Sequence, residues 1–338
     1  MKILVKILKW TGKIISGTIL FIMIVGLCYR LASTPPIPPG KLVDIKGTNL
    51  HIRAEGPRNT LPTLVLESGA GGNTDMFHWI AEGMKQQMRV VRYDREGKGF
   101  SEACTESMTP EDYAQQLHDL LKKNGEAPPY IMVGHSMGGP YISIFRELFP
   151  DEVKGMIYID ASHPEQWKRL AQKELVPKAQ VPLLKFAALL ADMGISGAYS
   201  AITTPAPRKD GLPKLCGLRE QLLRKYSGKI YHRYLQENTF NSQLLQRAAQ
   251  VRDLDSLPLL VFTAKEQYRE AQKVKYRNQG IQPEQEIALW FQMQKELKER
   301  STRGQQFIMD ATHGTILTQK HNADFINDKL RTMVGMVK

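Results

Sequence analysis

The sequence predicts an α/β fold: a doubly wound, mostly parallel sheet that carries a helical cap insertion. Short apolar runs rich in β-branched residues alternate with longer stretches of helical periodicity, and this alternation is typical of strands joined by crossover helices. The runs are apolar throughout, as expected of parallel strands covered on both faces. The alternation stops between about residues 164 and 255, where helical patterns are interrupted by prolines. A chain of 338 residues, 42% of them hydrophobic, is long enough for one large domain with such an insertion.

The individual elements follow in chain order. Leu42–Arg53 alternates around a Lys46-Gly47 turn and predicts an opening hairpin. Thr109 precedes Pro110 and two acidic residues, which is a helix start, and Asn124-Gly125 ends that helix. Further helices are expected after Ser136 and over residues 322–333. The six predicted central strands are Thr63–Leu66, Arg89–Tyr93, Tyr130–Val133, Met156–Ile159, Leu259–Phe262 and Gln306–Met309.

Residues 1–33 predict a signal anchor. The apolar run Ile14–Tyr29 follows four lysines and precedes Arg30, and Lys13 and Arg30 can reach the two membrane interfaces. Cleavage as a secretory signal remains the alternative. The excess of lysine before the run places the N-terminus in the cytoplasm and the main domain, residues 41–338, outside it. A proline-rich spacer extends to residue 40.

Charge and cysteine content narrow the function classes. The formal net charge is +12, and the first 30 residues contain no acid. Such a charge favours an anionic surface or substrate, but no basic run is interleaved with aromatic residues, so nucleic acid is not expected as a partner. Three cysteines, Cys28, Cys104 and Cys216, make no disulfide framework and show no metal-ligand spacing. No cofactor or metal is expected.

Residues 133–139 read VGHSMGG, directly after an apolar strand and before a helix. The pattern G-x-S-x-G needs small residues around a sharp strand-to-helix turn, which exposes the serine oxygen at the strand tip. The N-terminus of the following helix and the Met137 N–H then face any oxyanion formed there. Ser136 is therefore the predicted nucleophile, and a serine that merely caps the helix is the alternative.

A general base must accept the proton of Ser136 and return it to the leaving group. His313 follows the last predicted strand in the sequence Asp310-Ala311-Thr312-His313-Gly314. His313 is the predicted base, and its position after Ser136 follows the order of the family resemblance described next.

Four stretches together make the chain from about Val43 onward resemble α/β-hydrolases of the esterase, lipase and aminopeptidase type. They occur in the order of that family and are ESGAGG at 67–72, YDREGKGFS at 93–101, the serine turn at 133–139 and His313. The resemblance implies that Ala70 N–H is the second oxyanion donor. It also implies that Asp94 and Arg95 belong to a structural turn. Members with an aspartate nucleophile, the haloalkane dehalogenases and epoxide hydrolases, are not favoured, because the nucleophile position is Ser136.

The acid that orients His313 is left between two residues. The family position after the strand Leu259–Phe262 holds no aspartate, and Glu266 lies about one residue from it. Some members place the acid at the tip of the preceding strand, where this chain has Asp160. Asp160 is preferred and Glu266 is the alternative; His163 can be a pocket residue.

The predicted reaction is cleavage of a carboxylic ester, thioester or amide through an acyl-enzyme on Ser136. A prolyl-type aminopeptidase is an alternative within the same machinery, although the basic cap argues against it. A catalytically inactive binding module is the alternative from another class. Apolar cap residues can line an acyl pocket or form the core of the cap itself: Met193, Tyr199, Leu222, Tyr226, Tyr231, Tyr234 and Phe240.

Overall fold

The structure is a computed structural model that describes residues 2–34, 36–103, 107–203, 211–217, 219, 223 and 228–337. It begins with a single long helix, α1 (Lys2–Ala32), almost all of which is exposed. Residues Ile3–Ala32 are long and apolar enough to cross a membrane, a property that secretory signals share. The helix exceeds the predicted run Ile14–Tyr29 because the flanking lysines, spaced among apolar residues, are also good helix formers.

Eight strands of the described chain form one sheet with the spatial order β1-β2-β4-β3-β5-β6-β7-β8. Strand β2 is antiparallel to both of its neighbours, and β3 to β8 are parallel. The predicted opening hairpin and all six predicted central strands are present. The bounds are β1 (Lys41–Ile45), β2 (Thr48–Glu55), β3 (Thr63–Glu67), β4 (Val90–Tyr93), β5 (Tyr130–His135), β6 (Val153–Ile159), β7 (Leu259–Glu266) and β8 (Gly304–Thr312).

Helices cover both faces of the sheet. On one face, α3 (Pro110–Lys123) and α4 (Gly138–Leu148) pack over a core that includes Leu117, Ile142 and Met132. On the other face, α2 (His78–Met84) and the last helix pack over Leu64, Val133 and Ile157. Two buried layers on one sheet are the doubly wound arrangement that the sequence predicts.

Between β6 and β7 the described elements are helical and none is a strand. They are α5 (Gln166–Arg169), α6 (Val181–Asp192), α7 (Ile195–Ile202) and α8 (Lys229–Ala248). Helix α8 packs its C-terminal half, including Leu244 and Ala248, into the core beside α4. The remaining helices are α9 (Glu270–Asn278), α10 (Pro283–Glu299), α11 (Thr315–Thr318) and α12 (Lys320–Met336).

The chain reverses its winding direction at the centre of the sheet. Strand β4 lies on one side of β3 and β5 lies on the other, so the loops that follow β3 and β5 diverge from one point at the carboxyl edge. Ligands of open α/β sheets bind in the crevice at such a switch point. The Gly-rich stretch 67–72 follows β3, and Ser136 follows β5.

Candidate active site

Ser136 occupies a strained turn between β5 and α4. Its φ is +54°, a left-handed conformation that side-chain-bearing residues rarely adopt. The turn is held from both sides, because Ser136 N–H donates to Ile159 O (3.2 Å) and Ser136 O accepts from Ser162 N–H (2.9 Å). The neighbouring strand β6 and its following loop therefore fix the serine at the end of β5.

The glycines around Ser136 are required by close backbone contacts. A Cβ on Gly134 would lie 2.6 Å from Gly138 O, and a Cβ on Gly138 would lie 2.4 Å from Glu67 O. A Cβ on Gly139 would lie 2.6 Å from Ala161 Cβ. Real Cβ atoms do not approach other atoms this closely, so the spacing of glycines in the motif follows from the packing of β3, β5 and β6 at this point.

His313 lies directly after β8 and is hydrogen-bonded to Asp160. Its Nδ1 is 2.6 Å from Asp160 Oδ2, and Asp160 is fully buried at the tip of β6 with φ +42°. Glu266, the alternative acid, is exposed at the end of β7 and makes no hydrogen bond to His313 in the described chain. The structure thus brings His313 together with Asp160 and not with Glu266.

Three groups that sequence reasoning missed hold the second oxygen of Asp160. Its Oδ1 accepts hydrogen bonds from Trp290 Nε1 (3.0 Å), Ala264 N–H (3.1 Å) and Gln267 Nε2 (3.3 Å). Trp290 lies on α10, 130 residues away in the chain, and no local pattern marks it. These donors give the buried carboxyl oxygen the hydrogen bonds that a polar group needs away from water.

Ser136 and His313 line the same cavity, which has a volume of about 250 Å³. Residues 68–73, Met76, Phe77 and His135 complete most of its wall. Within the described chain, Ser136 Oγ and His313 share no hydrogen bond; such bonds are often long until substrate binds. His135 donates its Nε2–H to His313 O (2.9 Å), and burial lowers the pKa of His135 to about 3, so this ring is neutral at physiological pH.

The predicted oxyanion donors lie on the two loops at the switch point. Gly69 packs directly on the serine, since a Cβ there would lie 2.7 Å from Ser136 Cβ, and Ala70 follows it in the cavity wall. Met137 begins α4 as its N-cap. The backbone N–H groups of Ala70 and Met137 donate to no atom of the described chain, which leaves both able to bind a ligand oxygen.

A buried network of ion pairs holds the backbone carbonyls of the Gly-rich loop, residues 67–72. Arg95 donates to Ser68 O (2.6 Å) and to Gly69 O (3.3 Å), and Lys98 donates to Gly69 O (2.7 Å). Both cations also contact Glu237 of α8, at 3.1 Å and 2.7 Å, and Arg95 pairs with Glu67. Arg95 is therefore part of the turn, as the resemblance implies, and it also positions the loop.

Three cations, Lys98, Arg95 and Arg233, determine the protonation states within this network. Burial raises the pKa of Glu237, but Lys98, Arg95 and Arg233 more than offset it and lower that pKa to about 2. Burial, and then the neighbouring Arg95, lower the pKa of Lys98 to about 7. Glu237 is thus ionised, and Lys98 is the cation most easily neutralised.

Asp94 has the structural position expected of it. It is fully buried and accepts hydrogen bonds from Thr74 N–H (2.8 Å) and Phe100 N–H (3.1 Å), with His51 Nδ1 at 2.7 Å. A Cβ on Gly99 would lie 2.1 Å from Asp94 Oδ2, which accounts for the glycine in that turn. Asp94 does not line the cavity of Ser136.

The apolar residues proposed for an acyl pocket occupy different places. Tyr234 of α8 lies against Gly71, with a Cβ on that glycine 3.4 Å from the ring. Phe240 packs on Tyr113 at 5.1 Å between ring centroids and belongs to the core, and Tyr199 is exposed. Leu222 and Tyr226 lie outside the described residues. His163 has Glu296 at 3.3 Å from its Nε2 and does not line the cavity.

Of the three cysteines, Cys104 lies outside the described residues. Cys28 is exposed and Cys216 is buried, and both are free thiols.

Comparisons with known proteins bear on the fold. Residues 62–182 match the family model described as the alpha/beta hydrolase fold. Among solved structures, the enol-lactonase from Burkholderia xenovorans LB400 superposes with a TM-score of 0.59 at 18% identity, over 87% of this chain and 100% of the other. The chain has the α/β-hydrolase fold.

Curated relatives match the chain over limited lengths. The protein named Uncharacterized protein YbdG, from Bacillus subtilis (strain 168), is 26% identical over 174 residues, which are 49% of this chain and 53% of YbdG. The sn-1-specific diacylglycerol lipase ABHD11 of Mus musculus is 32% identical over 105 residues, 30% of this chain and 34% of the lipase. The chain therefore spans about half the length of the first relative and a third of the second.

Proposed function

We propose that this chain is a serine hydrolase that cleaves a carboxylic ester, or a related thioester or amide, through an acyl-enzyme on Ser136. The observation that carries the proposal is the arrangement of Ser136, His313 and Asp160. Ser136 stands on a left-handed strand-to-helix turn, in one cavity with His313, whose Nδ1 is 2.6 Å from buried Asp160. A nucleophile, a base and a group that orients the base are the parts that acyl transfer requires.

The hydrogen bond to Asp160 assigns the two nitrogens of His313. Because Asp160 is an acceptor, Nδ1 carries the proton and Nε2 is free to accept the proton of Ser136 Oγ. The serine oxygen then adds to the carbonyl carbon. The imidazolium that forms is stabilised by Asp160, and it returns the proton to the leaving group as the acyl-enzyme forms.

The Ala70 and Met137 N–H groups are the proposed donors to the oxyanion of the tetrahedral intermediate. Both are unengaged in the described chain, and Met137 opens α4, whose N-terminus adds a partial positive charge. Water then enters the same site and adds to the acyl carbonyl carbon while His313 accepts its proton. The Ser136 Oγ–acyl bond breaks, His313 returns that proton to Ser136 Oγ, and the acyl group leaves as a carboxylic acid that ionises in solution.

An ester is favoured over the substrate of a prolyl-type aminopeptidase by the state of Glu237. An aminopeptidase needs a free carboxylate to bind the substrate amine. Glu237 is the carboxylate that the insertion presents to the Gly-rich loop, and it is already paired with Arg95, Lys98 and Arg233. Among the described residues of the insertion, the ammonium group of a substrate would therefore meet at this loop a carboxylate that is already paired.

We propose further that α1 anchors the hydrolase in the cell membrane, with its N-terminus in the cytoplasm and the hydrolase domain on the other side. The length and apolarity of Ile3–Ala32 support this, as do the lysines before the run. Intact mass of the protein purified from membranes tests it: a full-length mass is expected, and a mass lacking the first 30 or so residues would mean a cleaved signal.

The enzymatic proposal is tested with a fluorophosphonate probe on the full chain in mild detergent. We expect one adduct on Ser136 by peptide mass, its loss in Ser136→Ala, and hydrolysis of p-nitrophenyl esters that disappears in the same variant. No adduct on a protein that unfolds cooperatively would reject the proposal and favour the binding module.

A further inference from the structure

Helices α6 and α7 of the insertion expose large apolar side chains to solvent. Leu183, Phe186 and Leu189 recur every third residue on α6, and Tyr199 and Ile202 lie on α7; each is more than half exposed. At 3.6 residues per turn the three α6 residues lie within an arc of about 120° around the helix axis. We call these five residues the α6–α7 apolar face. A contiguous exposed face of this kind marks a contact with an apolar partner.

The first helix packs against this part of the insertion. A Cβ on Gly26 would lie 2.7 Å from both Ile195 Cγ1 and Met193 O, and a Cβ on Gly194 would lie 2.2 Å from Gly26 O. Gly26 is buried within an otherwise exposed helix. The α1 backbone therefore crosses the start of α7 in direct contact, as small residues permit between membrane-associated helices.

The position of the crossing along α1 sets its depth. Lys13 and Arg30 are 17 residues apart, about 26 Å at 1.5 Å per residue, close to the ~30 Å hydrocarbon thickness. Gly26 precedes Arg30 by four residues, or about 6 Å. When α1 spans the bilayer, Gly194 and the start of α7 therefore lie about 6 Å on the membrane side of Arg30, the depth at which interfacial helices bury their apolar faces.

The polar residues around the apolar face carry the complementary charge for a membrane surface. Lys178, just before α6, and Lys185, on α6, are exposed and form no ion pair with the described residues. Helices that lie in the interface combine an apolar face with lysines that reach lipid headgroups, and such lysines are attracted to anionic lipid.

We infer that the α6–α7 apolar face docks on the phospholipid bilayer that α1 crosses. The inference rests on the proposed membrane insertion of α1 and is independent of the chemistry at Ser136. The insertion then attaches the hydrolase body to the bilayer surface at a second point, in addition to the anchor and its proline-rich spacer. A phospholipid surface is favoured over a second copy of the chain because α7, which carries two residues of the face, packs against α1, the helix proposed to cross the bilayer.

Site-specific fluorescence on the full chain tests the inference. Cys28, Cys104 and Cys216 are replaced by serine, and an NBD fluorophore is attached to one new cysteine at a time: Phe186→Cys, Leu189→Cys, Ile19→Cys within α1, and Ile308→Cys. Ile308 is the matched control, since it is apolar and exposed but lies on β8, outside the insertion. Each protein is reconstituted in phosphatidylcholine and phosphatidylglycerol vesicles, with or without a nitroxide on the lipid acyl chains.

The expected result is a several-fold loss of emission with nitroxide lipid at positions 186, 189 and 19, and little change at position 308. Quenching at position 19 alone overturns the docking and leaves the anchor intact. A blue shift at 186 and 189 without lipid quenching also overturns it, because a protein surface then covers the face. No quenching at position 19 overturns the anchor and the docking with it. None of these outcomes depends on hydrolysis, so a failed serine assay is a separate result.

Discussion

Glu237 Oε2 accepts a hydrogen bond from the Gly71 N–H at 3.2 Å, and this contact joins helix α8 of the insertion to the loop beside Ser136. The other oxygen of the same carboxylate pairs with Arg95 and Lys98, which hold the carbonyls of Ser68 and Gly69. The conformation of the Gly-rich loop thus depends on a carboxylate that lies 166 residues away in the chain.

Replacement of that carboxylate should weaken both the fold and the site. Glu237→Gln keeps the side-chain shape but leaves buried Lys98 without a carboxylate partner among the described residues, and removing one partner of a buried ion pair typically costs about 3–5 kcal/mol of unfolding free energy. We expect a lower thermal midpoint and a lower kcat, because the loop loses its support. Glu284→Gln is the control, since Glu284 forms an exposed pair with Arg277, and solvent-exposed pairs contribute little to stability. Equal effects of the two substitutions would contradict the role of the network.

The same carboxylate should give the protein an acid-sensitive stability. The pKa of Glu237 is lowered to about 2 in the folded state, below its value of about 4.3 in an unfolded chain. A lowered carboxyl pKa contributes stability that is present above the unfolded pKa and is lost as the pH falls through the folded pKa. Thermal midpoints should therefore fall between about pH 4.5 and pH 2, and more steeply in the native protein than in Glu237→Gln. Parallel curves for the two proteins would show that other groups cause the acid sensitivity.

The preference for Asp160 over Glu266 predicts a large loss of kcat for one conservative substitution and almost none for the other. Asp160→Asn leaves the packing intact but removes the charge that fixes the Nδ1–H tautomer of His313, and such a change costs about 10⁴-fold in kcat in a serine protease triad. Glu266→Gln alters an exposed side chain and should leave kcat within about twofold of the native value. Steady-state hydrolysis of a p-nitrophenyl ester separates them, and a large loss in Glu266→Gln alone would reverse the assignment.

The difference between Asp160 and Glu266 also shows where sequence reasoning ends. The strands, the serine turn and the position of His313 are local in their signals: apolar runs, glycine spacing, and a residue just after a strand. The strand order and the contact between His313 and Asp160 are not local, since the two are 153 residues apart. The sequence placed both acids near strand ends but could not say which end His313 reaches.

The groups that hold the site in place carried even less sequence signal. Trp290 and Glu237 lie on amphipathic helices, where a tryptophan or a glutamate is ordinary. Each acquires its role only because a distant helix packs over the carboxyl edge of the sheet. A side chain on a helix can be predicted to be buried from periodicity, but its hydrogen-bond partner across the fold cannot.

Loss of the hydrogen bond from Trp290 to Asp160 should weaken the action of His313 as a base. The Trp290 indole Nε1 donates to Asp160 Oδ1 at 3.0 Å, and a hydrogen bond to a charged group is worth about 1.5–3 kcal/mol. Trp290→Phe keeps an aromatic ring in the site and should lower kcat by about tenfold, with little change in KM, because it acts on the base and not on substrate binding. Trp167→Phe, on α5, provides the comparison. A rise in KM at unchanged kcat would mean that Trp290 shapes the cavity instead.

Gly69 should tolerate no side chain, whereas Gly314, in the same cavity wall, should accept one. A Cβ at Gly69 would lie 2.7 Å from Ser136 Cβ and 3.3 Å from Ser136 Oγ, whereas a Cβ at Gly314 meets nothing within 4 Å. Both glycines line the same cavity, so the two alanine variants differ mainly in contact with the serine. Displacement of a reacting group by about 1 Å can cost 10²-fold in rate, and Gly69→Ala should lose activity to about that extent while Gly314→Ala stays near the native rate. The rate of fluorophosphonate labelling measures this directly, because it reports on Ser136 without a chosen substrate. Near-native labelling of Gly69→Ala would mean that the loop moves aside, and that the oxyanion donor proposed at Ala70 is not held in place by contact with Ser136.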